Sequence, residues 1–319
     1  MGRYILKRLL MMIPVVLGVT IFIFTLMYFT PGDPATIILG SNASPEQIEQ
    51  KAEELGLNDG YLTRLVNYLN DVFINFDFGQ SYINHRNVTT QILERFPRTL
   101  SIASFSVLLS LIIGIPLGIT AAINQYGWKD NASMFLALFG VSMPNFWVGL
   151  MLVILFALTL GVLPAGGIGG FEYYILPCIA CSFGGIANIA RQTRSSMLEV
   201  IRSDYIVTAR AKGLAERQVI YKHALKNALI PIITIAGWFF GVLIGGTLVI
   251  ETVFSIPGLG TYMTQAISNR DYPAIQGSVI FISIMFGLVM LLVDILYAYI
   301  DPRIKTQYQV VKRRTSHEK

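Results

Sequence analysis

Charge is the scarcest thing in this chain. Asp, Glu, Lys and Arg make up 13% of the 319 residues, against 54% hydrophobic ones. Soluble domains carry ~25% charge, so an ordinary soluble fold is excluded and a membrane protein indicated. Histidine is nearly absent: the three residues His85, His223 and His317 fall outside every apolar segment, which argues against imidazole proton relays within a bilayer. Cysteine is limited to Cys178-Ile-Ala-Cys181, inside an apolar segment after Leu176-Pro177 and without the βαβ context of a redox motif. Small buried membrane cysteines are the reading adopted, and no metal site is expected. No Gly-Lys dipeptide exists to supply a Walker A lysine, and neither His-Glu-x-x-His nor Gly-x-Ser-x-Gly occurs. These absences leave no catalytic residues and no enzyme. The net charge of +5 is too unevenly spread to indicate nucleic-acid binding.

What the chain does have is long apolar runs. Leu9–Phe29 would span about 31 Å as a helix, enough for a ~30 Å hydrocarbon core and longer than a signal-peptide h-region. Further segments lie at about 99–123, 132–160, 173–190, 229–250 and 277–300, predicting an all-α protein with six transmembrane helices. The 173–190 segment is short and contains Pro177 and Gly184-Gly185, so an interrupted span lining a cavity is expected there. The positions of the basic residues set the orientation. The N-terminus, the 124–131 turn, the 191–228 loop and the tail after Asp301 hold 18 of the 24 Lys and Arg residues. The 31–96 loop holds four, against nine acids. Positive-inside bias then puts both termini and the 191–228 loop in the cytoplasm.

The chain divides accordingly. Residues 1–30 are the cytoplasmic N-terminus and first span, 31–96 an extracytoplasmic helical loop, 97–300 the membrane core and 301–319 a basic cytoplasmic tail. Within the external loop, Ser44-Pro45-Glu46-Gln47 has the order of an N-cap, an N1 proline and a capping-box glutamine. Gly56 should stop that helix, and Leu62, Leu65, Val66, Leu69 and Phe73 repeat the helical period in a second one.

Acids inside spans are few. Asp294 lies about 10 Å from the cytoplasmic end of the last span, where a hydrated or salt-bridged carboxylate is tolerated; a gating role is the alternative. Glu251 closes the fifth span and is expected to mark the outer interface. Gly237, Gly241 and Gly245, like Gly114 and Gly118, recur at i+4, as close helix packing or a pore-side stripe would require. The cytoplasmic island from Ala190 to Pro231 holds eight basic residues. There Ser203 can cap a short helix carrying Ile206, Ala209 and Arg210, with Gly213 breaking it before Leu214. A knob entering a groove on a partner and a basic helix lying on anionic lipid fit this pattern equally.

Thr208-Ala-Arg-Ala-Lys-Gly-Leu214, followed by His223-Ala-Leu-Lys-Asn-Ala-Leu-Ile-Pro231, resembles the coupling-loop signature of ABC-type peptide and nickel importer permeases. Val207-Thr208-Ala209 stands where the general ABC importer form has Glu-Ala-Ala, and the proline follows Gly213 by 18 residues rather than 13, the usual form of the peptide and nickel branch. Tyr4-Ile-Leu-Lys-Arg8, Thr30-Pro-Gly-Asp-Pro34, Ser142-Met-Pro-Asn-Phe-Trp147, Leu163-Pro-Ala-Gly-Gly167, Glu251-Thr-Val-Phe-Ser-Ile-Pro-Gly-Leu-Gly260 and Asp294-Ile-Leu-Tyr-Ala-Tyr-Ile-Asp-Pro-Arg303 are similar to the same branch, in the same order.

The resemblance implies a type I ABC importer permease fold that moves dipeptides or oligopeptides across the cell membrane. The implied partners are a homologous second permease, two ABC ATPase subunits, an extracytoplasmic substrate-binding protein and the lipid bilayer. ATP and Mg would be held by the ATPase subunits and no cofactor by this chain. Coupling would run through the 205–222 loop, with Thr208, Ala209, Arg210, Ala211, Lys212, Gly213 and Leu214 docking into an ATPase. Pathway or gate residues would be Pro144, Asn145, Phe146, Trp147, Glu251, Pro257, Gly258 and Asp294. Nickel or glutathione are alternative cargoes within the family. Outside it stand an ion-coupled secondary carrier working alone and a non-transporting scaffold.

Overall fold

The computed structural model describes residues 2–40 and 42–300. The basic tail 301–319, including Asp301-Pro302-Arg303, lies outside the described residues. Among the described residues there are helices and no strand, with one isolated bridge between Gln80 and Asn87. In chain order the helices are α1 (Gly2–Phe29), α2 (Pro34–Leu39), α3 (Pro45–Glu54), α4 (Tyr61–Phe73), α5 (Val88–Ile123), α6 (Trp128–Ser142) and α7 (Asn145–Leu152). They continue as α8 (Glu172–Ile201), α9 (Asp204–Ala211), α10 (Glu216–Gln218), α11 (Leu225–Gly246), α12 (Leu248–Val253), α13 (Leu259–Ser268) and α14 (Tyr272–Ile300). Segments Val153–Thr159 and Val219–Ala224 are π-helical. Five helical stretches are long and apolar enough to cross a membrane, and a sixth if the bent α6–α7 pair counts as one span.

Two segments differ in shape from their sequence pattern. The 132–160 segment, expected as one span, bends by 95° between α6 and α7. Pro144 lacks an N–H, and its ring drives the preceding residue out of the helical region, so Met143 is extended at φ −92°, ψ 127°. Conversely, the 173–190 segment is not interrupted. α8 is one helix that continues through Ile201 and so absorbs the first part of the expected 191–228 loop, while α11 takes its last residues. Pro177 is the sixth residue of α8 and lies inside the helix without ending it. Gly185 is a packing residue, since a Cβ there would lie 2.3 Å from Phe239 Cε1 and from Ser110 Oγ.

α8 is the centre of the bundle, packed against α5, α6, α7 and α11, while α1 lies on α14 at the periphery. The i+4 glycines serve this packing. A Cβ on Gly118 would fall 2.4 Å from Thr193 Cβ on α8, and one on Gly237 2.1 Å from Val293 Cγ2 on α14. With little hydrophobic drive between helices in lipid, such close approach supplies the van der Waals contact that holds them. Cys178 and Cys181 are buried in the same core as free thiols.

The 31–96 segment folds as a small cap. Ser44 and Gln47 form the expected capping box, with bonds of 3.3 and 2.9 Å, and α3 ends at Gly56, whose φ of +63° suits glycine. α4 packs on α1 through Tyr61 and Tyr68 around Phe24, and Tyr61 Oη shares a 2.7 Å hydrogen bond with Thr25 Oγ1. Buried Asp271, just before α14, ties the cap down by accepting from Ser81 Oγ at 2.5 Å and from Tyr82 N at 3.1 Å.

Candidate functional site

The predicted site residues fall into a knob at one end of the bundle, a buried clasp, an exposed bend and an ion pair between the first and last spanning helices.

The knob is α9 with the turn into α10. Ile206 and Ala209 point inward, onto a base formed by Ile119, Met197, Val219, Ile220 and Ala224 from α5, α8 and the π-helical turn before α11. Thr208, Arg210, Ala211, Lys212, Gly213 and Leu214 are exposed. Ala209, expected among the docking residues, is therefore part of the footing instead. Ser203 holds the N-cap position, yet its hydroxyl donates back to Val200 O at 2.6 Å and caps nothing. Gly213 turns the chain at φ +76°, a conformation that side chains with a Cβ rarely adopt. Across this turn Arg210 makes a bidentate pair with Glu216, Nη2–Oε1 2.7 Å and Nε–Oε2 3.1 Å. Glu216 is not among the residues expected from sequence; its one signal is an acid just beyond the glycine, within reach of an arginine in the preceding turn.

A second feature missed from sequence braces α6 to α8. Asp130, 3% exposed in its side chain, accepts two hydrogen bonds from Arg194, from Nε at 2.6 Å and Nη2 at 2.7 Å. Tyr126 N also donates to its Oδ2, at 3.0 Å. Arg202, next to the knob, donates to Gln125 from the same turn at 3.1 Å. Thus the helix ends beneath α9 are tied to one another by charge-assisted bonds, the strong class of hydrogen bond.

The clasp brings together motifs that are far apart in sequence. Glu251, expected to mark the outer interface, is 0% exposed and turned into the protein. Its Oε1 accepts from Thr99 Oγ1 at 2.6 Å and Thr247 Oγ1 at 2.9 Å, and its Oε2 from Thr261 N at 2.9 Å. Thr99 Oγ1 in turn accepts from Leu259 N at 2.8 Å. A carboxylate suits the position because every neighbour donates. Gly258 is buried against it, and a Cβ there would lie 2.4 Å from Glu251 Cδ. Pro257 is half-buried, and its carbonyl accepts from Arg98 Nη1 at 3.3 Å. The Leu163–Gly167 motif meets the same turn, with Gly167 N donating to Phe254 O at 2.8 Å. From α7, Gly149 backs onto the Phe254 ring, a Cβ there falling 3.1 Å from Cε2.

Pro144, Asn145, Phe146 and Trp147 are exposed at the α6–α7 bend. Asp294 stands apart from all of these on α14, where its Oδ2 lies 3.0 Å from Arg8 Nε of α1. Among the described residues no group of three or more His, Cys, Asp or Glu side chains is placed to hold a metal ion.

Comparison with known proteins fits this architecture. Residues 114–306 match the family described as binding-protein-dependent transport system inner membrane component, and residues 1–103 match its N-terminal companion. The dipeptide transport system permease protein DppB of Alkalihalophilus pseudofirmus is 44% identical, over 96% of this chain and 100% of the relative. A putative peptide transport system permease protein of Brucella abortus is 43% identical, over 96% and 99%. The glutathione transport system permease protein GsiC of Salmonella typhimurium is 40% identical over the same shares. Among solved structures, an inward-facing MetNI methionine ABC transporter superposes with a TM-score of 0.56 at 19% identity, covering 67% of this chain and 97% of its own. An amino acid ABC transporter superposes at 0.52 with 13% identity, covering 65% and 93%. Those two likenesses establish a type I ABC importer permease fold. The matches to family and relatives run along nearly the whole chain, and it belongs to the binding-protein-dependent transport system inner membrane components, as a transporter subunit and not an enzyme.

Proposed function

We propose that this chain is one of two homologous permeases in an ATP-driven importer of dipeptides or oligopeptides. Two ABC ATPase subunits in the cytoplasm and an extracytoplasmic substrate-binding protein complete the machine. The termini and the knob then face the cytoplasm and the cap faces outward, in the inner or plasma membrane. The observation that carries this reading is the knob: a short helix that leaves polar, small and apolar residues, Tyr205 and Val207 among them, open on its outer surface while Ile206 and Ala209 anchor it on three spanning elements. ATP binding favours closure of the ATPase pair. A rigid α9 seated in an ATPase groove turns that preference into a change of permease state, because each conformation of the pair binds one permease conformation better. Thr208, Arg210, Ala211, Lys212, Gly213 and Leu214 make the contact, and Ala209 transmits it to the base. ATP and Mg reside on the ATPase subunits.

The peptide cargo rests on the dipeptide and peptide permeases at 43–44% identity. Glutathione, itself a tripeptide, is the second reading, favoured by the 40% identical GsiC relative. Within the pathway, Pro144–Trp147 form the exposed bend, and the Glu251 clasp holds the Pro257-Gly258 turn in place.

Gly213→Pro tests the coupling role. Proline holds φ near −65°, against the +76° found here, so the turn cannot form. Peptide uptake and binding-protein-stimulated ATP hydrolysis should both be lost, while the chain still inserts and pairs with the second permease. Unchanged uptake by an assembled variant would remove the knob from the mechanism. Uptake by the purified chain alone, without ATP, would replace the importer with a secondary carrier.

A further inference from the structure

The Thr30-Pro-Gly-Asp-Pro34 motif has no part in the coupling argument, yet the fold gives it a definite place. Together with the turn after α3, the inner face of α4, the 77–85 segment and the start of α14, it walls a cavity of about 730 Å³ between the cap and the membrane bundle. That volume falls in the ~300–1,000 Å³ range of small-molecule sites. Gly32 allows the wall to close in, since a Cβ there would sit 2.8 Å from Tyr272 Oη.

Two features of the wall call for an occupant. Tyr272 is 7% exposed and lines the cavity, and its hydroxyl has no hydrogen-bond partner among the described residues; the buried hydroxyl of Tyr68, also on the wall, has none either. Buried polar groups without partners are few in native proteins and point to a missing ligand or solvent. Burial raises the Tyr68 phenol and pushes Tyr82 up to about 12. The second feature is charge. Asp33, Asp59, Asp71 and Asp77 line the cavity without an ion pair among the described residues, whereas Glu54 is matched by Lys51 at 2.8 Å. Against these four carboxylates the described lining sets one unpaired guanidinium, that of Arg64, over the Tyr28 ring at 5.1 Å. The carboxylates are not gathered into a metal-holding group. A dispersed negative wall with aromatic faces suits an extended organic cation better than a metal ion.

We propose that this cap cavity is a binding site for short cationic peptides, with their ammonium groups on the aspartate side and their carboxylate toward Arg64. It is separate from the knob and from the clasp. The inference rests on the peptide reading of the cargo, and makes the cap a place where peptide is held before or during delivery.

The test uses the assembled importer without its binding protein, in nanodiscs of phosphatidylcholine, which brings neither a primary ammonium nor a net charge. Calorimetric titration with trilysine should show one saturable site per chain and none for triglutamate. Asp59→Asn and Asp71→Asn alter exposed carboxylates, and the double variant should weaken trilysine binding about tenfold or more while the importer still assembles. Tyr272→Phe should weaken it less. Absence of saturable binding, equal binding of triglutamate, or affinity unchanged in the double variant overturns the proposal. Uptake assays with the binding protein restored separate the two readings. Peptide uptake without a trilysine site leaves the importer standing and removes the cavity. A trilysine site sensitive to Asp59 and Asp71, without peptide uptake, keeps the cavity and removes peptides as the transported cargo.

Discussion

The knob and the clasp are both glycine-punctuated turns next to a spanning helix, and the chain treats them in opposite ways. At the clasp the carboxylate finds its partners within the chain: Glu251 is fully buried, and Thr99, Thr247 and Thr261 all donate to it. At the knob only Ile206 and Ala209 are buried, and Ala211 through Gln218 stand in the open. Buried polar groups are costly unless bonded, so the clasp had to be completed within the chain. The exposed surface of α9 carries no such requirement and remains open to a partner. One turn stabilises the subunit; the other is there to be gripped.

This contrast predicts where substitutions change stability and where they change activity. Glu251→Ala should have the largest effect on folding, because it strands three donors at about 1–3 kcal/mol each. The variant should accumulate poorly, and what is recovered should melt well below the parent in detergent; wild-type melting would mean the clasp is dispensable. Asp130→Asn comes next, since it leaves Arg194 without its anion, a loss of about 3 kcal/mol for a buried pair. Its signature is a lowered melting temperature that Arg194→Met introduced alongside partly restores. Gly118→Ala presses a methyl into Thr193 and the carbonyl of Ala190, for about 1–3 kcal/mol of overpacking, again read as melting. Glu216→Gln is the smallest: the Arg210 pair is exposed, so melting should not shift measurably. If Arg210 and Glu216 merely brace the turn, the exchanged pair Arg210→Glu with Glu216→Arg should keep ATPase coupling. Loss of coupling in the exchanged pair, at unchanged melting, would assign Arg210 to the docking contact itself.

Much of this architecture is legible in the amino-acid sequence alone. The apolar runs mark the helices that cross, and Ser44 through Gln47 spell out a capping box that the cap contains. Gly213 is legible as a break because few residues other than glycine turn the chain at positive φ. The expectations that fail share one cause: a local pattern carries no information about its neighbours in space. Pro177 and Gly184-Gly185 look like an interruption, yet α8 is continuous, and Gly185 is where Phe239 and Ser110 approach its backbone. Pro144, set deeper in its apolar run, does break the segment. The burial of Glu251 is hidden in the sequence because its donors come from positions as distant as Thr99.

Composition and short spacing are therefore enough to establish a membrane protein, its helical segments, the cap helix α3, and the family through motifs in order. Which residues pair with one another belongs to the folded chain. Folding placed Ala209 inward and Arg210 outward on one short helix, matched Asp130 with Arg194 and Asp294 with Arg8, and buried Glu251 among threonines from two other segments. The physical reason is range. Helix formation and capping are settled within a few residues, whereas the partner of a buried charge is set by which helices meet, and that follows from packing across the whole bundle.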